Sequence, residues 1–174
     1  SAFNSLKGDF TIELWAKLND VNGVPCLFTL GDGSAYHEKL IIYARRGKLS
    51  VYSWTGRKYF FKISNAATIN IGAWHHVALV KQNHTITLYF DGKLSGQTHA
   101  MGEFPNFSQI YIGQHGCGLK YLRVNGNVDD LKMFGTAKYN EEFTPNSEPG
   151  ESIGPSIERN ISPYYYYHPA SILE

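Results

Sequence analysis

The strongest pattern in the chain is the strict alternation from Asp9 to Asn19, where Phe10, Ile12, Leu14, Ala16 and Leu18 interleave with Thr11, Glu13, Trp15 and Lys17. Successive side chains of a strand point to opposite faces, so this segment reads as a strand with one buried face. Comparable short runs follow at 24–30, 39–45, 48–55, 58–63, 74–81, 85–90, 109–113 and 127–134. Asn22-Gly23, Asp32-Gly33, Asp91-Gly92 and Asn125-Gly126 lie between them and tolerate the positive φ that closes antiparallel hairpins. No segment carries a convincing 3.6-residue repeat. So many short strands exceed one small sheet and predict an all-β fold, two antiparallel sheets packed as a sandwich or jelly roll.

Composition agrees. The 174 residues suit a single domain, and 12 Tyr, 10 Phe and 17 Gly favour pleated strands joined by tight turns. A formal net charge of +1 lacks the basic excess of a nucleic-acid binder, and no apolar run approaches the ~20 residues that span a bilayer. Neither nucleic acid nor membrane insertion is therefore expected. Ser1 to Asn4 show neither an initiator Met nor the start of a signal peptide, so the chain is expected to be mature, trimmed or excised from something larger.

The pattern changes after Pro145. Five of the seven prolines stand at 145, 149, 155, 163 and 169, and six acids from Glu141 onward face Arg159 alone. That gives −5 for the C-terminal part and leaves +6 for residues 1–140. The expected division is a sandwich over 1–145 and an extended, acidic, Pro/Tyr-rich arm over 146–174. Tyr164, Tyr165, Tyr166 and Tyr167 are costly to leave in water, which marks them as an assembly element. Folding back onto its own sandwich and docking on a neighbouring subunit are both open to this arm.

One group of residues suggests binding chemistry. If Leu49, Val51 and Ser53 face the core, Tyr52 and Trp54 face outward, with Arg57 and Tyr59 just beyond and Arg45 and Arg46 across the hairpin. Flat aromatic faces stack on the C–H surfaces of sugar rings, and guanidinium groups pair with carboxylate or phosphate. Tyr52, Trp54, Arg57 and Tyr59 are the candidate carbohydrate-binding residues; the alternative is an aromatic face covered by loops or the arm. Asp129 is expected to share the inward face of Leu131 and Met133, either hydrogen-bonded there or serving as a Ca²⁺ ligand. His75 and His76 are adjacent, face opposite ways and cannot share one metal. The remaining histidines lack ligand spacing, so no metal site and no cofactor is expected. The Gly-rich stretch from Gly113 to Tyr121 could present amides to a ligand, though loop geometry alone explains it. Cys26 and Cys117 could pair or not, and Cys117 is read as a thiol.

Three stretches together resemble the laminin G-like, concanavalin A-like lectin/glucanase fold: Phe10-Thr11-Ile12-Glu13-Leu14-Trp15-Ala16; Trp74-His75-His76-Val77-Ala78-Leu79-Val80 with Leu88-Tyr89-Phe90-Asp91-Gly92; and Gly126-Asn127-Val128-Asp129-Asp130-Leu131-Lys132. The resemblance implies a two-sheet jelly roll over roughly residues 9–145. The ending Ala137-Lys138-Tyr139-Asn140-Glu141-Glu142-Phe143-Thr144-Pro145 is similar to that of laminin G-like domains in bacteriophage tail and virion-surface proteins. It implies a place on a virion surface or tail, or otherwise outside the cell. Family members carry a further strand before the point where this chain starts, so a partner or the arm is expected to fill that edge.

The same fold includes glycosidases, whose retaining chemistry needs two carboxyl groups ~5 Å apart, as in the Glu-x-Asp-x-x-Glu strand signature of the related glucanases. No such triplet occurs: Glu13 stands alone, and Asp129 and Asp130 point apart on a regular strand. Nor does the chain contain a Gly-x-Ser-x-Gly elbow, a His-Glu-x-x-His pair or a phosphate loop. No catalytic residue is expected. The reading is a non-enzymatic binding module whose partners are a host-surface glycan and other virion proteins or a second copy of itself. A capsid-decorating or spacer protein held by its arm, and an accessory module of a secreted glycoside hydrolase, are the alternatives.

Overall fold

The computed structural model describes residues 6–32, 38–55, 57–100, 102–146 and 149. Ten strands form two antiparallel sheets. They are β1 (Phe10–Leu18), β2 (Cys26–Gly31), β3 (Glu38–Arg45), β4 (Lys48–Trp54), β5 (Tyr59–Thr68), β6 (Trp74–Gln82), β7 (Thr85–Phe90), β8 (Lys93–His99), β9 (Gln109–Ile112) and β10 (Gly126–Phe134). The first sheet runs β10-β1-β6-β7-β8 and the second β5-β4-β3-β2-β9.

The alternation of β1 has the expected result. Phe10, Ile12, Leu14 and Leu18 are fully buried between the sheets, where they meet Phe28, Leu30, Leu40, Ile42, Leu49 and Val51. The segment after β8 plugs one end of the core: the Phe104 ring stands edge-on to Phe10 at 5.3 Å and to Phe60 at 5.8 Å. Such T-shaped contacts align positive ring edges with negative ring faces.

Four features depart from the alternation. Strand β8 is unexpected, because its inward position is Gly96, where an added Cβ would collide with Ile63 of β5. The missing side chain lets the sheet edges approach and also erases the hydrophobic signal. Strand β5 continues to Thr68 past Asn65, whose φ of 56° marks an irregularity. Asn125-Gly126 does not turn a hairpin; Gly126 opens β10 beside Lys17, opposite Leu18.

The fourth departure corrects the orientation of Asp129. The β1–β10 ladder shifts register between Glu13 and Trp15, and Asp130 sits there with a φ of 49°. This bulge brings Val128, rather than Asp129, into line with Leu131 and Met133 on the core side. Asp129 instead pairs with the outward-facing Trp15, and its Oδ1 accepts the Asp130 N–H at 2.7 Å.

Candidate functional site

The outer surfaces of the two sheets differ in what lies on them. On the first sheet the surface row contains Thr11, Glu13, Trp15, His76, Ala78, Val80 and Tyr89, all buried. The segment after β10 lies across them as a strap. Thr11 Oγ1 donates to the Thr136 carbonyl and accepts the Lys138 N–H, both at 2.9 Å. Tyr139 stacks on Phe143 with ring centroids 3.6 Å apart, and both pack on Ala78, Val80 and Tyr89. Phe143 N–H donates to the Gly92 carbonyl at 3.0 Å, and Glu142 accepts from Leu94 N–H and Lys93 Nζ.

Beneath this strap Glu13 is 3% exposed. Its carboxylate accepts Lys138 Nζ at 3.1 Å and the Tyr139 hydroxyl at 2.6 Å, so both oxygens are engaged. Burial first, and this hydrogen bond second, push the Tyr139 hydroxyl far above its usual range, so it remains a donor. His76 lies between Trp15 (5.2 Å) and Phe143 (5.7 Å), and its Nδ1 is buried with no partner among the described residues. Burial holds its pKa below the ordinary 6.5, so the ring is neutral near pH 7. His75 faces the other way and stacks on Phe90; its Nε2 accepts the Asn70 N–H, so Nδ1 carries the proton donated to Asp91 Oδ2 at 2.8 Å. Both histidines are therefore structural. Asp130 accepts Lys132 Nζ at 2.7 Å, and among the described residues no three His, Cys, Asp or Glu side chains are placed to hold a metal.

The second sheet turns a different surface outward. Leu49, Val51 and Ser53 of β4 are buried, whereas Tyr52 and Trp54 are half-buried on the opposite side. Tyr43 of β3 stands edge-to-face with Tyr52 at 5.8 Å, Tyr52 with Tyr59 at 5.6 Å, and Tyr59 with Trp54 at 4.9 Å. Four rings from three adjacent strands thus form one unbroken row. Lys62 is the register partner of Tyr52, and its Nζ lies 5.0 Å from the centre of the Tyr59 ring. Arg57 is exposed in the β4–β5 turn, which Thr55 and Lys58 close through backbone and hydroxyl hydrogen bonds.

The structure therefore brings Tyr52, Trp54 and Tyr59 together, with Arg57 in the adjoining turn. Tyr43 and Lys62 are additions that no run of sequence reveals, because they join the row only through the strand register. Arg45 follows Tyr43 by two residues on the same side of β3 and so stands at the Tyr43 end of the row, while Arg46 sits in the hairpin turn with a φ of 52°; both are about six residues, or ~20 Å, along the strand from Trp54.

The Gly-rich loop occupies the other half of this surface. Thr29 donates to the Gln114 carbonyl at 3.2 Å, and Gly116 packs so closely on the Tyr111 ring that a Cβ there would sit 2.9 Å from it. The loop amides are partly spent on their own turn: Cys117 N–H donates to His115 Nδ1 and Gly118 N–H to the His115 carbonyl. Cys26 and Cys117 are both thiols. Tyr164, Tyr165, Tyr166 and Tyr167 lie outside the described residues. No helix among the described residues is long and apolar enough to cross a membrane.

Solved structures share this architecture. The chain superimposes on a carbohydrate-binding module of the Ruminococcus gnavus intramolecular trans-sialidase, bound to α2,3-sialyllactose, with a TM-score of 0.65 and 14% identity, covering 80% of this chain and 82% of that one. It superimposes on the leech intramolecular trans-sialidase with a TM-score of 0.66 and 18% identity, covering 80% of this chain but 23% of the enzyme. A heptameric pentraxin from Limulus polyphemus gives a TM-score of 0.57 and 20% identity, over 74% of this chain and 64% of that one. The chain thus spans less than two thirds of the pentraxin and about a quarter of the leech enzyme. At these identities the likeness establishes the fold. No curated protein matches the chain. The family model for the concanavalin A-like lectin/glucanases superfamily, in its laminin G form, matches residues 1–142, most of the chain. This protein therefore belongs to the concanavalin A-like lectin/glucanases superfamily.

Proposed function

We propose that the domain is a non-catalytic carbohydrate-binding module that receives a sugar chain on the outer surface of its second sheet. The observation that carries this reading is the row of Tyr43, Tyr52, Tyr59 and Trp54, flanked by Lys62 and Arg57. Pyranose rings offer apolar C–H surfaces edged by hydroxyls, which suits flat aromatic faces beside a few polar groups. Rings braced by one another on paired strands need little ordering on binding, so less affinity is lost to immobilisation. The sialyllactose-bound module of the same fold lends support. The non-catalytic part rests on the acids of the first sheet, since Glu13 is committed to Tyr139 and Lys138, and Asp130 to Lys132.

On this reading the ligand is a glycan of a host cell surface and the module sits on a phage particle, on its capsid or tail. Support comes from the Ala137 to Pro145 ending, similar to that of virion-surface domains. Residues 146–174, with Tyr164 to Tyr167, are the arm that joins it to other virion proteins or to a second copy. A purely structural decorating role is the second reading, favoured by that acidic, Tyr-rich arm. A glycan array probed with the protein and with Trp54→Ala separates the two. Selective binding lost in the variant supports the receptor-binding module, whereas silence across the array, together with a change of oligomeric mass on truncation at Asn146, supports the structural role.

A further inference from the structure

We propose that the sugar bound by the aromatic row is anionic, bearing a carboxylate or sulfate group, and that Lys62 and Arg57 are the residues that read this charge. The inference rests on the carbohydrate reading above and specifies its ligand. It starts from a segregation of charge along the chain. From Lys39 to Phe90 there is no aspartate or glutamate, although the whole chain balances 16 basic residues against 15 acidic ones. Arg45, Arg46, Lys48, Arg57, Lys58 and Lys62 all fall in that stretch, on β3, β4, β5 and the turns between them. These are the strands that carry the four rings.

Geometry then selects among the cations. Lys39 is paired with Asp32 at 3.0 Å, and Lys48 donates to the Thr68 hydroxyl at 2.5 Å. Arg45 and Arg46 stand at the Tyr43 end of the row, ~20 Å along the strand from Trp54, and Lys58 shares the turn of Arg57, its backbone bonded to Thr55. Lys62 and Arg57 are exposed, and neither has an acidic partner among the described residues. Lys62 holds its ammonium over Tyr59, next to Tyr52 in the register, which leaves its other N–H donors directed away from the ring. Arg57 stands in the exposed turn that joins Trp54 to Tyr59, so the segment carrying these two rings also carries both cations.

Both side chains are donors only. A sugar hydroxyl accepts one such bond without charge assistance, whereas a carboxylate or sulfate offers only acceptors and adds charge attraction, which makes it the stronger match for two cations. The planar guanidinium fork of Arg57 suits two oxygens of one such group. An aromatic row with flanking cations also suits single-stranded nucleic acid, but the overall charge of +1 is small for that role.

The test is titration calorimetry of the full chain with uronic-acid, sialylated and sulfated oligosaccharides. Each is paired with its uncharged counterpart, made by methyl esterification or desulfation, and a single-stranded oligonucleotide serves as a polyanion control. The charged member of at least one pair is expected to bind about tenfold tighter at low salt, with the difference shrinking in high salt. Carboxylated and sulfated arms identify which anion is preferred. Lys62→Gln and Arg57→Gln should each remove most of the charged-over-uncharged preference, and Lys62→Arg should retain it. Equal affinity for charged and uncharged members, or no effect of either glutamine variant, overturns the anionic inference and leaves the carbohydrate reading standing. Tighter binding of the oligonucleotide than of any sugar overturns the inference in favour of nucleic acid. Binding to neither member of any pair overturns the carbohydrate reading itself.

Discussion

The outer surfaces of the two sheets begin from similar material, aromatic rings and a charged group on alternating strands, and reach opposite ends. On the first sheet the strap around Tyr139 and Phe143 covers the rings and satisfies Glu13. On the second sheet the rings from Tyr43 to Trp54 brace one another and, among the described residues, stay half-exposed or exposed. Aromatic area on a protein surface thus takes one of two roles. Where chain covers it, it contributes to stability. Where it is left open on a rigid sheet, it is available to a partner.

If the comparison is right, the two surfaces respond to mutation in opposite ways. The largest effect is expected at the strap. Gly92 has a φ of +74°, and an added Cβ would collide with the Phe143 carbonyl. Gly92→Ala should therefore strain the β7–β8 turn and lift the strap, and Phe143→Ala should remove its central ring. Each is expected to cost about 3 kcal/mol in denaturant unfolding and to leave the affinity of the second sheet for its ligand unchanged. A loss of binding without a loss of stability would break the division of roles.

Next in size is the buried carboxylate. Glu13→Gln keeps the volume but weakens both contacts and leaves Lys138 without its counter-charge, at a cost of about 1–2 kcal/mol, read from the urea midpoint at pH 7. A smaller effect concerns pH. Because burial lowers the His76 pKa in the folded state, the unfolded chain takes up more protons once pH drops below the unfolded value near 6.5. The contribution of neutral His76 is therefore fully present above that pH and lost as pH falls through 6.5 toward the depressed folded value. Urea midpoints between pH 7.5 and 5.5 should decline in the parent protein and flatten in His76→Phe. An unchanged slope in the variant would show that other groups set it. The smallest stability effect is expected at the open row, where Trp54→Ala should cost under about 1 kcal/mol because the ring is only half-buried.

Much of this architecture was legible in the sequence for a simple reason: a strand with one wet face writes its period into the residues. Phe10 to Leu18 could be read directly, and so could the outward direction of Tyr52 and Trp54, which needs only the parity of Leu49 and Val51. What was lost depended on relations between strands or on single backbone angles. Strand β8 was silent because Gly96 supplies closeness instead of a side chain. Asp129 was turned the wrong way because one positive φ, at Asp130, shifts the parity of half a strand. Tyr43 and Lys62 enter the site through pairings across hairpins. The strap could be quoted as a motif, yet nothing in its residues says that Tyr139 reaches Glu13, far earlier in the chain.

The outer surface of the second sheet, half-exposed among the described residues, is the proposed ligand site, and the strapped surface of the first is not. Backbone chemical-shift mapping by NMR during titration with a glycan that binds tests it most directly. Shifts are expected at Ile41 to Tyr43, Val51 to Trp54 and Tyr59 to Lys62, with Thr11 to Trp15 and Tyr139 to Phe143 unmoved. Shifts centred on Glu13, Tyr139 and Phe143, with the Tyr52 and Trp54 amides silent, would contradict it.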